Sequence, residues 1–312
     1  MNVIADLFPG FAERRIKTEG AEIFLRTGGS GPPLLLLHGY PQAHVCWHKI
    51  APELARHCTL VIPDTRGYGA SSVPPSDAEH KAYSKRVMAQ DCVDVMRALG
   101  HERFMVAGHD RGGRVAYRLA LDHPQAVRAL IPVDILTTAD AWRRTTAERA
   151  LRAYHWALLA QPHPLPETLI AADPVYYLEH TLKSWAGPRD LSPFSAEALA
   201  HYRALLKDPA RVHAVCEDYR AGATIDWQTD EADLAAGRKI TCPTFVLWAT
   251  DYLGRGGAKP LDIWQAWCPD LKGAAVKSGH FLAEENPNDT LAALLPFLAS
   301  RPERASAASR DP

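Results

Sequence analysis

The chemistry begins at an aspartate placed in a sharp turn. After the apolar run 104–107 come Gly108, His109, Asp110, Arg111, Gly112 and Gly113, followed by the helix-compatible stretch RVAYRLAL. Glycines on both sides let a strand bend abruptly into a helix and leave the central side chain exposed at the apex. A carboxylate there is ionised at neutral pH, so it needs no base to act as a nucleophile, and attack on saturated carbon would give an alkyl ester. His280, in Ser278-Gly279-His280-Phe281, follows the last apolar run and could activate water against that ester. Two carboxylates could orient the histidine: Asp134 at the end of IPVDILTT, and Asp251 in LWATDYLG. We place Asp134 ahead and read Asp251 as a turn residue capping backbone amides. Arg111 and Arg114 stand three apart at the start of a helix, so both can point into one pocket beside Asp110. Two guanidinium groups would hold a substrate carboxylate and offset its repulsion from the nucleophile; the alternative is a pair of structural arginines salt-bridged to an inserted cap.

Those residues need a scaffold, and the chain predicts one. Short apolar runs at 34–37, 59–62, 104–107, 129–133, 244–248 and 274–276 alternate with longer amphipathic stretches. Such runs read as buried parallel strands, and each leads into polar or glycine residues: HGYP, DTRGYGASS, GHDRGG, DILTT, ATDYLG and SGHF. The carboxyl edge of an open α/β sheet is where ligands bind. Residues around 23–25 fit an antiparallel hairpin leading into the sheet. From 139 to 226 strand patterns vanish, and Trp, Tyr, His and Pro recur between helical segments such as 148–160 and 196–206. This predicts a helical cap on a core made of 1–138 and 227–300, with a disordered tail at 301–312. The elbow, its place after a strand and the chain order nucleophile, acid, histidine resemble the α/β-hydrolase fold: a mostly parallel sheet flanked by helices, with an inserted cap. That fold puts an oxyanion-binding amide after the strand 34–37, which makes the amides of Tyr40 and Arg111 the candidate donors.

A narrower resemblance rests on GHDRGGR, YHW at 154–156, CEDYRAG at 216–222 and SGHF at 278–281. Together these look like the fluoroacetate (haloacetate) dehalogenases, from LFPGF at 7–11 to the final helix. HGxP, GHD and SGH are shared with epoxide hydrolases and haloalkane dehalogenases; the arginine after the nucleophile is the sharper mark, because those relatives usually carry tryptophan there. The resemblance implies a halide held by His155, Trp156 and Tyr219, a pocket position at Trp185 and a homodimer. It implies a haloacid substrate, halide and glycolate as products, and no metal or organic cofactor. Asp251, Thr65 and Pro63 depart from the family's commonest pattern.

The rest of the sequence narrows the field. The 312 residues carry a net charge of -1, with 47% hydrophobic and 23% charged residues. No basic surplus exists to neutralise phosphates, which argues against nucleic acid. We find no secretion signal, no apolar run of roughly 18 residues that could span a bilayer and no CxxC pair among six scattered cysteines, which points to the cytoplasm and no membrane partner. Two rivals share these features. An epoxide hydrolase would use the same nucleophile with cap tyrosines as acids, but the arginine pair does not suit neutral epoxides. A non-catalytic small-acid receptor would be expected to have lost part of the triad.

Overall fold

In the computed structural model, which describes residues 5–255 and 259–300, the strands are β1 Ala12–Thr18, β2 Ala21–Gly29, β3 Pro33–Leu37, β4 Thr59–Pro63, β5 Phe104–His109, β6 Val127–Val133, β7 Thr244–Ala249 and β8 Leu271–Val276. They form one eight-stranded sheet in the order β1-β2-β4-β3-β5-β6-β7-β8. The hairpin β1–β2 and the pair β2–β4 are antiparallel, and every other pairing is parallel. β3 lies between β4 and β5, so the strand order reverses there and opens a crevice at the carboxyl ends of β3 and β5.

The strand sequences are continuous apolar runs because both sheet faces are covered. Leu34 and Leu36 pack into one hydrophobic core, while Leu35 and Leu37 pack into the other. The helices Lys85–Ala98 and Arg111–Asp122 cover the second face. The helix Pro287–Ala299 covers the first, through Leu294, Phe297 and Leu298. β8 is the exception, half-exposed at the sheet edge. Its polar start, Lys272 and Gly273, hid its first three residues from a search for apolar runs.

Eight helices, from Thr138–Arg143 to Ile225–Ala235, fill the chain between β6 and β7. The expected single helix over 148–160 is two, Ala147–Arg152 and Tyr154–Leu159. Ala153, at φ -106° and ψ 33°, breaks the run, and the second helix buries His155. The helix Ile225–Ala235 crosses the expected 226/227 boundary. Its Asp230 and Asp233 accept hydrogen bonds from Arg118 of the helix that follows Asp110, at 2.8 and 2.6 Å. All six cysteines are buried and free. Among the described residues no helix is long and apolar enough to cross a membrane. The tail 301–312 lies outside the described residues.

Candidate active site

Asp110 sits between β5 and its helix at φ 47° and ψ -117°, a backbone conformation that an L-residue keeps only where its surroundings enforce it. The enforcement is close packing. A Cβ on Gly112 would fall 2.3 Å from the His38 carbonyl, and one on Gly39 would fall 2.4 Å from Asp110 Cβ. The carboxylate is buried, and its Oδ1 accepts the Tyr40 amide at 3.0 Å. The Arg111 amide opens the helix and so has no acceptor within it.

His280 and Asp134 complete the cluster. His280 Nε2 stands 3.6 Å from Asp110 Oδ2, and Nδ1 lies 2.6 Å from Asp134 Oδ2. Asp134 Oδ1 accepts the Ala249 amide at 2.8 Å, and the residue holds a positive φ of 54°. Asp251 is elsewhere, its carboxylate accepting from Lys277 at 2.7 and 2.8 Å on the surface.

Charge follows this geometry. Burial works against ionising Asp110, but the facing His280, then His109 and Arg114, hold its carboxyl well below the ordinary range. Burial likewise disfavours the His280 imidazolium, yet Asp110 and Asp134 together raise it to about 9. Asp134 remains above its ordinary value because burial outweighs its single histidine partner.

The two arginines behave differently. Arg114 lines the cavity beside Asp110, donates from Nη1 to the Leu136 carbonyl at 2.8 Å and lies 4.4 Å from the Trp156 ring centre. Arg111 does not line that cavity. It turns to Asp218, donating from Nε to Oδ2 at 3.0 Å and from Nη2 to Oδ1 at 2.6 Å. Asp218 also accepts from Lys85 and from the Tyr68 hydroxyl, so two core residues fix the carboxylate of the insert that holds the guanidinium. What remains is notable: Arg111 Nη1, Arg114 Nε, His155 Nδ1, Trp185 Nε1 and the Tyr219 hydroxyl are all buried without a hydrogen-bond partner.

The rings carrying these groups touch. His155 lies 4.4 Å from Trp185 and 5.7 Å from Tyr219, and Tyr40 lies 5.4 Å from Tyr219, centre to centre. The Arg111 guanidinium caps Tyr219 at 4.1 Å. Burial pushes the His155 imidazole down to about 3, so it is a neutral ring. His155, Trp156, Arg114, Asp110, Asp134 and His280 share one cavity of about 490 Å³.

Several contributors escaped sequence reasoning. His38 accepts the Thr65 amide at Nε2, 3.1 Å, and its Nδ1 lies 3.1 Å from the Gly39 carbonyl, which fixes the turn carrying Tyr40. Tyr252 packs its ring 4.3 Å from His280. Asp218 had a signal, since it directly precedes Tyr219 in CEDYRAG. Away from this site, His163, Glu167 and His213 have ligand atoms within 4.8 Å of one another, but Glu167 already takes both terminal nitrogens of Arg220.

Comparison with known proteins shows the family to which this fold belongs. Residues 32–287 match the model of the α/β-hydrolase fold family. A fluoroacetate dehalogenase from Burkholderia sp is 41% identical over 94% of this chain and 95% of its own length. A soluble epoxide hydrolase from Corynebacterium sp. (strain C12) is 32% identical over 88% of this chain and 92% of its own. A crystal structure of an α/β-hydrolase-fold protein from Nostoc sp PCC 7120 is 51% identical, with a TM-score of 0.89 over 92% of this chain and 98% of that one.

Proposed function

From the premise that this chain belongs to the fluoroacetate dehalogenase family of α/β-hydrolases, acting on carbon–halide bonds, we propose that it is a haloacetate dehalogenase working through a covalent ester on Asp110. The observation that carries this reading is the set of buried, unpartnered donors gathered around an ionised carboxylate. A buried N–H or O–H without an acceptor costs roughly 1–3 kcal/mol, so this many in one place are prepared for an anion.

In the first step Arg114 from within the cavity, and Arg111 through Nη1, the one guanidinium nitrogen that Asp218 leaves unpartnered, hold the substrate carboxylate and turn its α-carbon toward Asp110. An Asp110 oxygen displaces the halide, which leaves with the bonding electrons into the donors of His155, Trp156 and Tyr219. Neutral donors suit this task because they accept an anion without closing a permanent ion pair. In the second step His280, oriented by Asp134, takes a proton from water that attacks the Asp110 ester carbonyl. The Tyr40 and Arg111 amides steady the oxyanion. Glycolate leaves and Asp110 is restored. His280 as found is an imidazolium between two carboxylates, but alkylation removes the charge on Asp110. With one anion gone its affinity for a proton falls, so after the first step the ring releases its proton to solvent and becomes the base for the second. Trp185 packs its ring 4.4 Å from His155 and 5.5 Å from His280, and no cofactor enters the scheme. The family resemblance implies a homodimer, and the six scattered, unpaired cysteines fit the cytoplasm.

The test is halide release from fluoroacetate and chloroacetate by the purified protein, with a single turnover in ¹⁸O-water. The new oxygen should enter Asp110 first, and label appearing at once in glycolate would defeat the covalent scheme. Asp134→Asn should release about one halide per site and then stall as the ester, with steady turnover falling by about 10⁴, whereas Asp251→Asn should keep turning over. The Tyr219 hydroxyl is also placed to protonate an epoxide. Diol formation from styrene oxide without halide release from any haloacid would transfer the assignment to an epoxide hydrolase.

A further inference from the structure

The cavity is too large and too positive for a haloacetate alone. Five non-hydrogen atoms at roughly 30 Å³ each, liquid water's share, fill at most about 150 Å³, against about 490 Å³ present. Its wall carries Arg144, Arg149, Arg152, Arg255 and Lys259 as well as Arg114; among the described residues the only lining carboxylate besides Asp110 and Asp134 is Asp262. Most of these cations have weak alternatives. Arg144 approaches Asp140 only to 3.9 Å, and Arg152 approaches the exposed Glu148 only to 4.0 Å.

Arg149 is the informative one. It is half-buried, on the helix Ala147–Arg152 that leads to His155 and Trp156, and no carboxylate among the described residues comes within 4.0 Å of its guanidinium. Burial, then the neighbouring Arg114, pulls its pKa down to about 10, so it remains a cation held at a disadvantage until an anion arrives. Arg149 and Arg152 are three apart and therefore share one helix face.

We propose that Arg149 and Arg152 form a second anion subsite, which takes the distal carboxylate of a 2-halo dicarboxylic acid while Arg111 and Arg114 hold the carboxylate next to the reacting carbon. The proposal rests on the dehalogenase reading and extends it to a substrate class. The chemistry is unchanged and balances. With 2-chlorobutanedioate, an Asp110 oxygen bonds to C2 and chloride leaves with the electron pair. Water then adds to the Asp110 carbonyl carbon and gives a proton to His280, which passes it to the leaving oxygen as the acyl–oxygen bond breaks and 2-hydroxybutanedioate is released.

The experiment compares 2-chlorobutanedioate with 2-chlorobutanoate, which keeps the carbon count and removes the second charge. Butanedioate and butanoate serve as competitive inhibitors that need no turnover. The intact enzyme should favour the dianion of each pair. Arg149→Gln should raise the KM ratio and the inhibition-constant ratio of dianion to monoanion about fivefold, and the Arg149→Gln/Arg152→Gln pair about tenfold, as expected for a partly solvated ion pair. Arg149→Lys should recover part of the loss. Equal losses for dianion and monoanion would show charge steering only and overturn the subsite. Turnover of chloroacetate but not of 2-chlorobutanedioate would overturn it and leave the dehalogenase reading standing. Turnover of no haloacid would remove that reading itself.

Discussion

His280 faces two carboxylates at once, and its proton affinity therefore reports the charge on Asp110. Asp110 and Asp134 raise the imidazolium to about 9 against the penalty of burial. Since the folded value lies above the ordinary 6.5, the stabilisation it brings is complete below pH 6.5. It is lost as pH climbs through about 9. Removing the Asp110 charge removes one of the two anions, at 3.6 Å from Nε2. An opposite charge at such a distance moves a pKa by about 1–3 units. In Asp110→Asn the ring should therefore titrate at least about a unit below the wild-type value, read by nitrogen chemical shifts of His280 against pH. An unchanged titration would mean that Asp134 alone sets the proton affinity, and the switch from imidazolium to base would have no physical cause. The same comparison should flatten the decline in stability between pH 6.5 and 9.

The loop that carries His280 is held by a residue no motif contained. Glu285 accepts the amides of Gly279 and Phe281, each at 2.9 Å, and the amide of Gly187 at 2.8 Å. One carboxylate thus brackets His280 on both sides and ties its loop to the chain just after Trp185, whose carbonyl accepts the His280 amide at 3.0 Å. Glu285→Ala should lower stability by about 2–4 kcal/mol, from charge-assisted bonds lost and amides left unpaired. It should also slow ester hydrolysis more than halide release, because only the second step needs His280 in register. Denaturant unfolding and a pre-steady-state halide burst measure the two effects, and equal slowing of both steps would reduce Glu285 to a structural part. Elements of this kind were only partly legible. The strands announced themselves because both faces of the sheet are buried, so 34–37 and 104–107 read as apolar runs within one or two residues of β3 and β5. The elbow, HGYP and SGHF were legible because backbone geometry limits which residues can stand there. The pairing of Arg111 with Asp218 bridges 107 positions along the chain, and the embrace of Gly187 by Glu285 bridges 98. No local pattern encodes a distance of that sort. The break at Ala153 was equally silent, since alanine favours helix.

At the scale of the whole molecule, the insert keeps apolar side chains in the open. Leu165 is 49% exposed, Leu169 54% and Tyr176 68%. Leu165 and Leu169 are four apart on the helix Leu165–Ala172 and so form one stripe, and Tyr176 begins the next helix, Pro174–Trp185. Exposed leucines scattered singly need no cause, but two on one stripe with an exposed tyrosine on the next helix suit a covered surface. The dimer implied by the family resemblance would supply the cover, as a second copy presenting the same stripe about a twofold axis. A stable interface of this type buries at least about 1,000 Å² in total, more than these three side chains alone, so they would form its apolar centre. Light scattering should then give twice the chain mass for the wild type, and Leu169→Asp with Tyr176→Asp should give the single mass. The inner face of the same helices buries Ile170, Leu178 and Trp185, and neither substitution touches it. Halide release by the separated chains should therefore persist, which distinguishes loss of the interface from loss of the fold. A wild type that runs as a single chain at all concentrations would place the cover elsewhere and detach the stripe from self-association.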